Sequence, residues 1–134
     1  MVLAAIRGVA KARETMRGKL FLIHWRAGEA EQLARDLRAA KWSVDLETED
    51  TARARKRVSE RPPDALVISL AAAPEHGLEA ATTLRGGAKR FRIVFVDADE
   101  NTLKTAKARM PFATFTTSGE LQAALQSGTR AGWG

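Results

Sequence analysis

The chain has 134 residues, 45% of them apolar and 28% charged, a composition that fits one folded domain and excludes a disordered chain. It contains no cysteine, which rules out a disulfide framework, a thiol nucleophile and a thiolate metal site. The formal charge is +6, and residues 1–19 hold much of it, with Arg7, Lys11, Arg13, Arg17 and Lys19 set against Glu14 alone.

Val2, Ile6, Val9 and Met16 recur near helical spacing, so residues 2–16 read as a basic amphipathic helix closed by Gly18. Lys19 to Trp25 is a continuous apolar run and reads as the first strand. Residues 29–41 follow as a helix with Ala30, Leu33, Ala34 and Leu37 on one stripe. Trp42 to Glu49 alternates, with Trp42, Val44 and Leu46 on one face and Ser43, Asp45 and Glu47 on the other. That pattern predicts an edge strand with one wet face. Asp50 or Thr51 opens a helix that carries Arg53, Arg55, Lys56 and Arg57 and stops before Pro62-Pro63.

Asp64 to Leu70 reads as a buried third strand, and residues 78–84 lie in a helix ended by Gly86-Gly87. Phe91 to Val96 is the fourth strand. A helix over 101–109 faces Leu103, Ala106 and Met110 inward, and Pro111 closes it. Phe112 to Thr116 is a short fifth strand, and Ser118 caps a last helix that ends at Gly128. Strand–helix units of this length predict an α/β fold: a five-stranded parallel sheet in the flavodoxin-like order 2-1-3-4-5, with an extra N-terminal helix. The boundaries are 1–18 for the N-terminal helix, 19–128 for the domain and 129–134 for a tail. No apolar run approaches the ~18 residues of a membrane helix, and basic residues interrupt any signal-peptide core, so a cytoplasmic protein without a membrane span is expected.

From Pro63 to Glu79 the sequence P-D-A-L-V-I-S-L, followed by G-L-E, resembles the third strand and next loop of a bacterial response-regulator receiver domain of the CheY-like type. The resemblance extends over residues 19–127. It implies that the position of the phosphoacceptor aspartate is Ser69 and that the acidic pair holding Mg²⁺ is replaced by His24 and Trp25. The Thr or Ser closing strand four falls at Val96, with Asp97 beside it, and Thr116-Thr117 stands where a receiver carries Lys-Pro. A hard divalent cation needs carboxylate oxygens. The resemblance therefore implies a pseudo-receiver without phosphotransfer, magnesium or enzyme activity, acting in bacterial two-component signalling as a protein–protein interaction module. In that family contacts often use the fourth helix, fifth strand and fifth helix, the region of Leu103 and Phe115.

Other chemistries have weaker support. The loop His24-Trp25-Arg26-Ala27-Gly28 has neither a phosphate-binding glycine pattern nor an FMN cradle, and no cofactor is implied. His24, Ser69 and His76, with Asp97 or Asp99, form a candidate metal or Ser/His rim, but no ligand spacing supports it. His76 is read as a loop residue. Trp25 and Trp133 are the aromatics expected to be exposed and are candidate contact residues. The alternative function is nucleic-acid or anionic-surface binding by the basic N-terminal helix and Arg53, Arg55, Lys56 and Arg57, which lack interleaved aromatics. The partner expected is an unidentified protein or a second copy of the chain.

Overall fold

Short apolar runs rich in Val, Ile, Leu and Phe alternate along the chain with amphipathic segments, and they form five parallel strands. The computed structural model describes residues 17–85 and 91–127. The expected helix over 2–16, the Gly86-Gly87 and Gly128 stops and Trp133 lie outside the described residues. In chain order the elements are β1 (Gly18–Ile23), α1 (Ala27–Ala39), β2 (Trp42–Glu47), α2 (Thr51–Glu60), β3 (Ala65–Ser69) and α3 (Pro74–Arg85). They continue with β4 (Arg92–Val96), α4 (Glu100–Arg109), β5 (Thr114–Thr116), a 3₁₀ turn (Ser118–Glu120) and α5 (Leu121–Ser127).

The sheet order is β2-β1-β3-β4-β5 and every pairing is parallel, as the alternating strand–helix pattern requires. Register places Leu20 beside Ala65, Ile23 beside Ile68 and Ser69 beside Val96. Because successive strand residues face opposite sides, the three central strands feed two cores. Phe21, Ile23, Leu66, Ile68, Ile93 and Phe95 pack with α2, α3 and α4. Leu20, Leu22, Val67, Val94 and Val96 pack instead with Leu33 and Leu37 of α1 and Leu121 and Leu125 of α5.

Polar side chains fix the helix starts. Asp50 caps α2, its side chain accepting from the Ala52 and Arg53 amides, and Asp99 caps α4 by accepting from the Thr102 amide. Two expectations change. Thr117, not Ser118, caps the 3₁₀ turn that leads into α5, because the Ser118 hydroxyl is drawn to Asp97. Glu47, expected on a wet face, is buried at the end of β2. Its Oε2 accepts from the Glu49 and Asp50 amides at 3.0 and 3.1 Å, so the turn into α2 folds over it.

Candidate functional site at the carboxyl ends of the strands

In the order 2-1-3-4-5 the connections from β1 and β3 leave in opposite directions, so a crevice opens at the carboxyl ends of these two strands. Three sets of contacts occupy this rim.

His24 follows β1 and is only 3% exposed. Its backbone N–H donates to the Glu47 carbonyl at 3.2 Å, and its Nδ1 accepts from the Arg26 N–H at 3.1 Å. An accepting Nδ1 leaves the ring proton on Nε2, which faces Glu29 Oε2 at 3.7 Å. Burial pulls the His24 pKa below 6.5; Glu29 and Asp97 oppose the shift, and Arg26 adds to it. His24 is thus a neutral imidazole whose role here is to hold the first turn of α1.

Trp25 is half-buried rather than exposed, because its ring packs on the α2–α3–α4 core. Its centroid lies 6.1 Å from the His76 ring at 55°. His76 sits in the first turn of α3 and not in a loop, since the helix begins at Pro74, a residue suited to a first turn. Ser69 ends β3 and is 1% exposed, with its Oγ accepting from the Ala71 amide at 3.3 Å. No hydrogen bond among the described residues joins Ser69 to either histidine.

Val96 does not reach the rim. It is fully buried and faces α1 and α5, because the strand's alternation turns it to that side. The next residue, Asp97, carries the rim position. Its carboxylate takes the Ser118 backbone N–H at 2.8 Å and the Ser118 hydroxyl, and its own amide donates to the Thr116 carbonyl at 3.1 Å. Thr116 is half-buried at the end of β5. The sequence signal for Asp97 was a carboxylate placed directly after an apolar strand; nothing local in the sequence marked Ser118 as its partner.

Among the described residues no three His, Cys, Asp or Glu side chains are grouped to hold a metal ion. The basic run of α2 is partly neutralised. Arg53 and Arg57 lie 3.6 and 3.8 Å from Glu47 Oε1, and Arg57 also donates to the Leu46 carbonyl and covers the Phe21 ring at 5.1 Å. Arg55 and Lys56 point outward and are exposed. On the opposite flank, Phe95, Ala98, Leu103, Lys107 and Phe115 line a shallow cavity of about 320 Å³ between α4 and β5. Phe115 stacks on Phe95 at 5.5 Å, and Leu103 is half-buried rather than fully inward.

This arrangement of strands matches known structures at low sequence identity. A CheY-like response regulator receiver domain from Methylobacillus flagellatus is 22% identical with a TM-score of 0.68, over 81% of this chain and 96% of that one. This is the CheY-like receiver fold. A sensor protein from Polaromonas sp. JS666 aligns at 20% identity and a TM-score of 0.68, over 83% of this chain and 94% of that one. A response regulator protein from Burkholderia pseudomallei with a phosphorylated aspartic acid, calcium ion and citrate aligns at 16% identity and a TM-score of 0.60, over 82% and 67% of the two chains. No family model and no curated protein matches the sequence. Among the described residues no helix is long and apolar enough to cross a membrane.

Proposed function

We propose that this chain is a phosphorylation-independent pseudo-receiver, a non-enzymatic protein–protein interaction module of bacterial signalling or regulation. The single observation that carries this reading is the residues that close β1 and β3, which are His24, Trp25 and Ser69 and include no carboxylate. A divalent cation bound by hard oxygen ligands has no acidic pair to hold it there, and an acyl phosphate has no carboxylate on which to form. Asp97, a carboxylate at this rim, accepts two hydrogen bonds from Ser118. The surface between α4 and β5, with Leu103, Lys107 and Phe115 around its cavity, is the proposed partner face. Cytoplasmic placement goes with this reading.

The test is an NMR titration of the full chain with Mg²⁺ and then with beryllofluoride. The expected result is no specific shift of the Ser69, Trp25 or Asp97 amides with either. Saturable shifts at Ser69 would overturn the proposal. Charge reversal at Lys107 with substitution of Leu103 is expected to abolish capture of the native partner and leave the fold intact.

A further inference from the structure

The helices run back antiparallel to the strands they follow, so the C-terminal ends of α3 and α4 meet at the rim opposite the crevice. There Thr82, Arg85, Arg109 and Met110 line an open groove of about 480 Å³. Phe112 stands beside it and is 52% exposed, the one large apolar side chain so exposed among the described residues. The Arg85 guanidinium lies over the Phe112 ring at 3.9 Å from its centroid, a stacking distance. Among the described residues neither Arg85 nor Arg109 pairs with a carboxylate, whereas Arg53 and Arg57 do.

We infer that this groove is a binding site for a phosphorylated planar ring, a nucleotide either free or within a single strand. Two features set it apart from a general basic surface. Guanidinium groups present forked N–H donors that fit phosphate oxygens, and Arg85 and Arg109 supply two such forks from different helices. A guanidinium already layered on an aromatic ring offers a flat platform on which a nucleobase adds a further layer, and stacking of this kind tolerates any base. The buried Met110 adds an apolar side chain to the groove's lining. An acidic peptide would use the charges and leave the stacked platform without a role.

The test uses the full chain in NMR titrations with ADP, inorganic pyrophosphate and a short oligothymidylate at low salt. ADP is expected to shift the Arg85, Arg109 and Met110 amides and to bind at least about fivefold more tightly than pyrophosphate. Phe112→Leu is expected to weaken ADP at least about threefold while leaving pyrophosphate unchanged, and Arg109→Gln to weaken both. Tighter binding of the oligomer than of ADP assigns the site to single strands; the reverse assigns it to free nucleotides. Absence of shifts at millimolar ADP, or equal affinity for ADP and pyrophosphate, would overturn the inference. Phe112 and Arg109 are exposed, so both variants are expected to fold. The groove lies at the opposite rim from Ser69, so a beryllofluoride response there would sink the pseudo-receiver reading and leave this one standing.

Discussion

Ser118 gives the Asp97 carboxylate two hydrogen bonds, one from its backbone N–H at 2.8 Å and one from its hydroxyl. Asp97 adopts φ of +58°, a left-handed conformation that short polar residues tolerate best among those with a Cβ. The pair fastens the turn after β4 to the turn after β5. Ser118→Ala removes one charge-assisted bond and is expected to destabilise the fold by about 1–2 kcal/mol. Asp97→Gly relieves about 1 kcal/mol of backbone strain but removes both acceptors, so a net loss is expected there too. Urea unfolding midpoints check both, and an unchanged midpoint in Ser118→Ala would show that the hydroxyl contact contributes nothing.

Acid should weaken the fold through His24. Its folded pKa lies below 6.5 because burial disfavours the charged ring, so the unfolded chain takes up the proton first. The stabilisation is therefore complete above 6.5 and is lost as pH falls from there through the folded pKa. A proton on Nδ1 would also face the Arg26 N–H donor and break the bond that starts α1. His24→Asn keeps an acceptor for Arg26 without titrating, and its stability is expected to fall less steeply between about pH 6.5 and 5. The Thr102 amide lowers the pKa of Asp99, whose contribution is lost only in more acidic solution, below its ordinary 3.8. A parallel pH slope in wild type and His24→Asn would contradict the assignment.

The fold was legible because hydrophobic periodicity sets it. Residues 65–70, a short apolar run after a Pro/Asp turn, read as a buried central strand, and the alternation from Trp42 placed β2 at an edge. The rim was less legible, since its contacts join residues far apart in sequence. Glu47 continues a polar alternation and gives no sign that the chain will close over it. Val96 and Asp97 differ by one residue, yet a strand's two-residue period turns one into the core and the other to the rim. The Arg85–Phe112 stack joins the end of α3 to the turn before β5, and no local pattern announces it.

Glu47 should be the most sensitive carboxylate of the β2 edge. It is 5% exposed, accepts two backbone amides and faces Arg53 and Arg57. Arg53 is 55% exposed, so solvent screens that pair and the amide bonds dominate. Glu47→Ala leaves both amides without their acceptor and is expected to cost about 2–3 kcal/mol, while Glu47→Gln retains a carbonyl and is expected to cost about 1 kcal/mol. Thermal melts at low and high salt should give nearly the same difference; a loss that vanishes at high salt would move the credit to the arginines.

Gly77 lies where α3 crosses the end of β3. A Cβ there would sit 2.5 Å from Leu70 Cδ2 and 3.1 Å from the Ser69 carbonyl oxygen. Alanine would gain about 1 kcal/mol of helix propensity. Against that, Leu70 is 2% exposed and held by the core, and the Ser69 oxygen belongs to a central strand, so neither neighbour moves freely. Overpacking of this kind costs about 1–3 kcal/mol and outweighs the propensity gain, so Gly77→Ala is expected to lower stability. The measurement is the denaturant midpoint of Gly77→Ala beside Gly28→Ala, which meets nothing within 4 Å and should raise it. A stabilised Gly77→Ala would mean that α3 stands farther from the sheet than this packing requires.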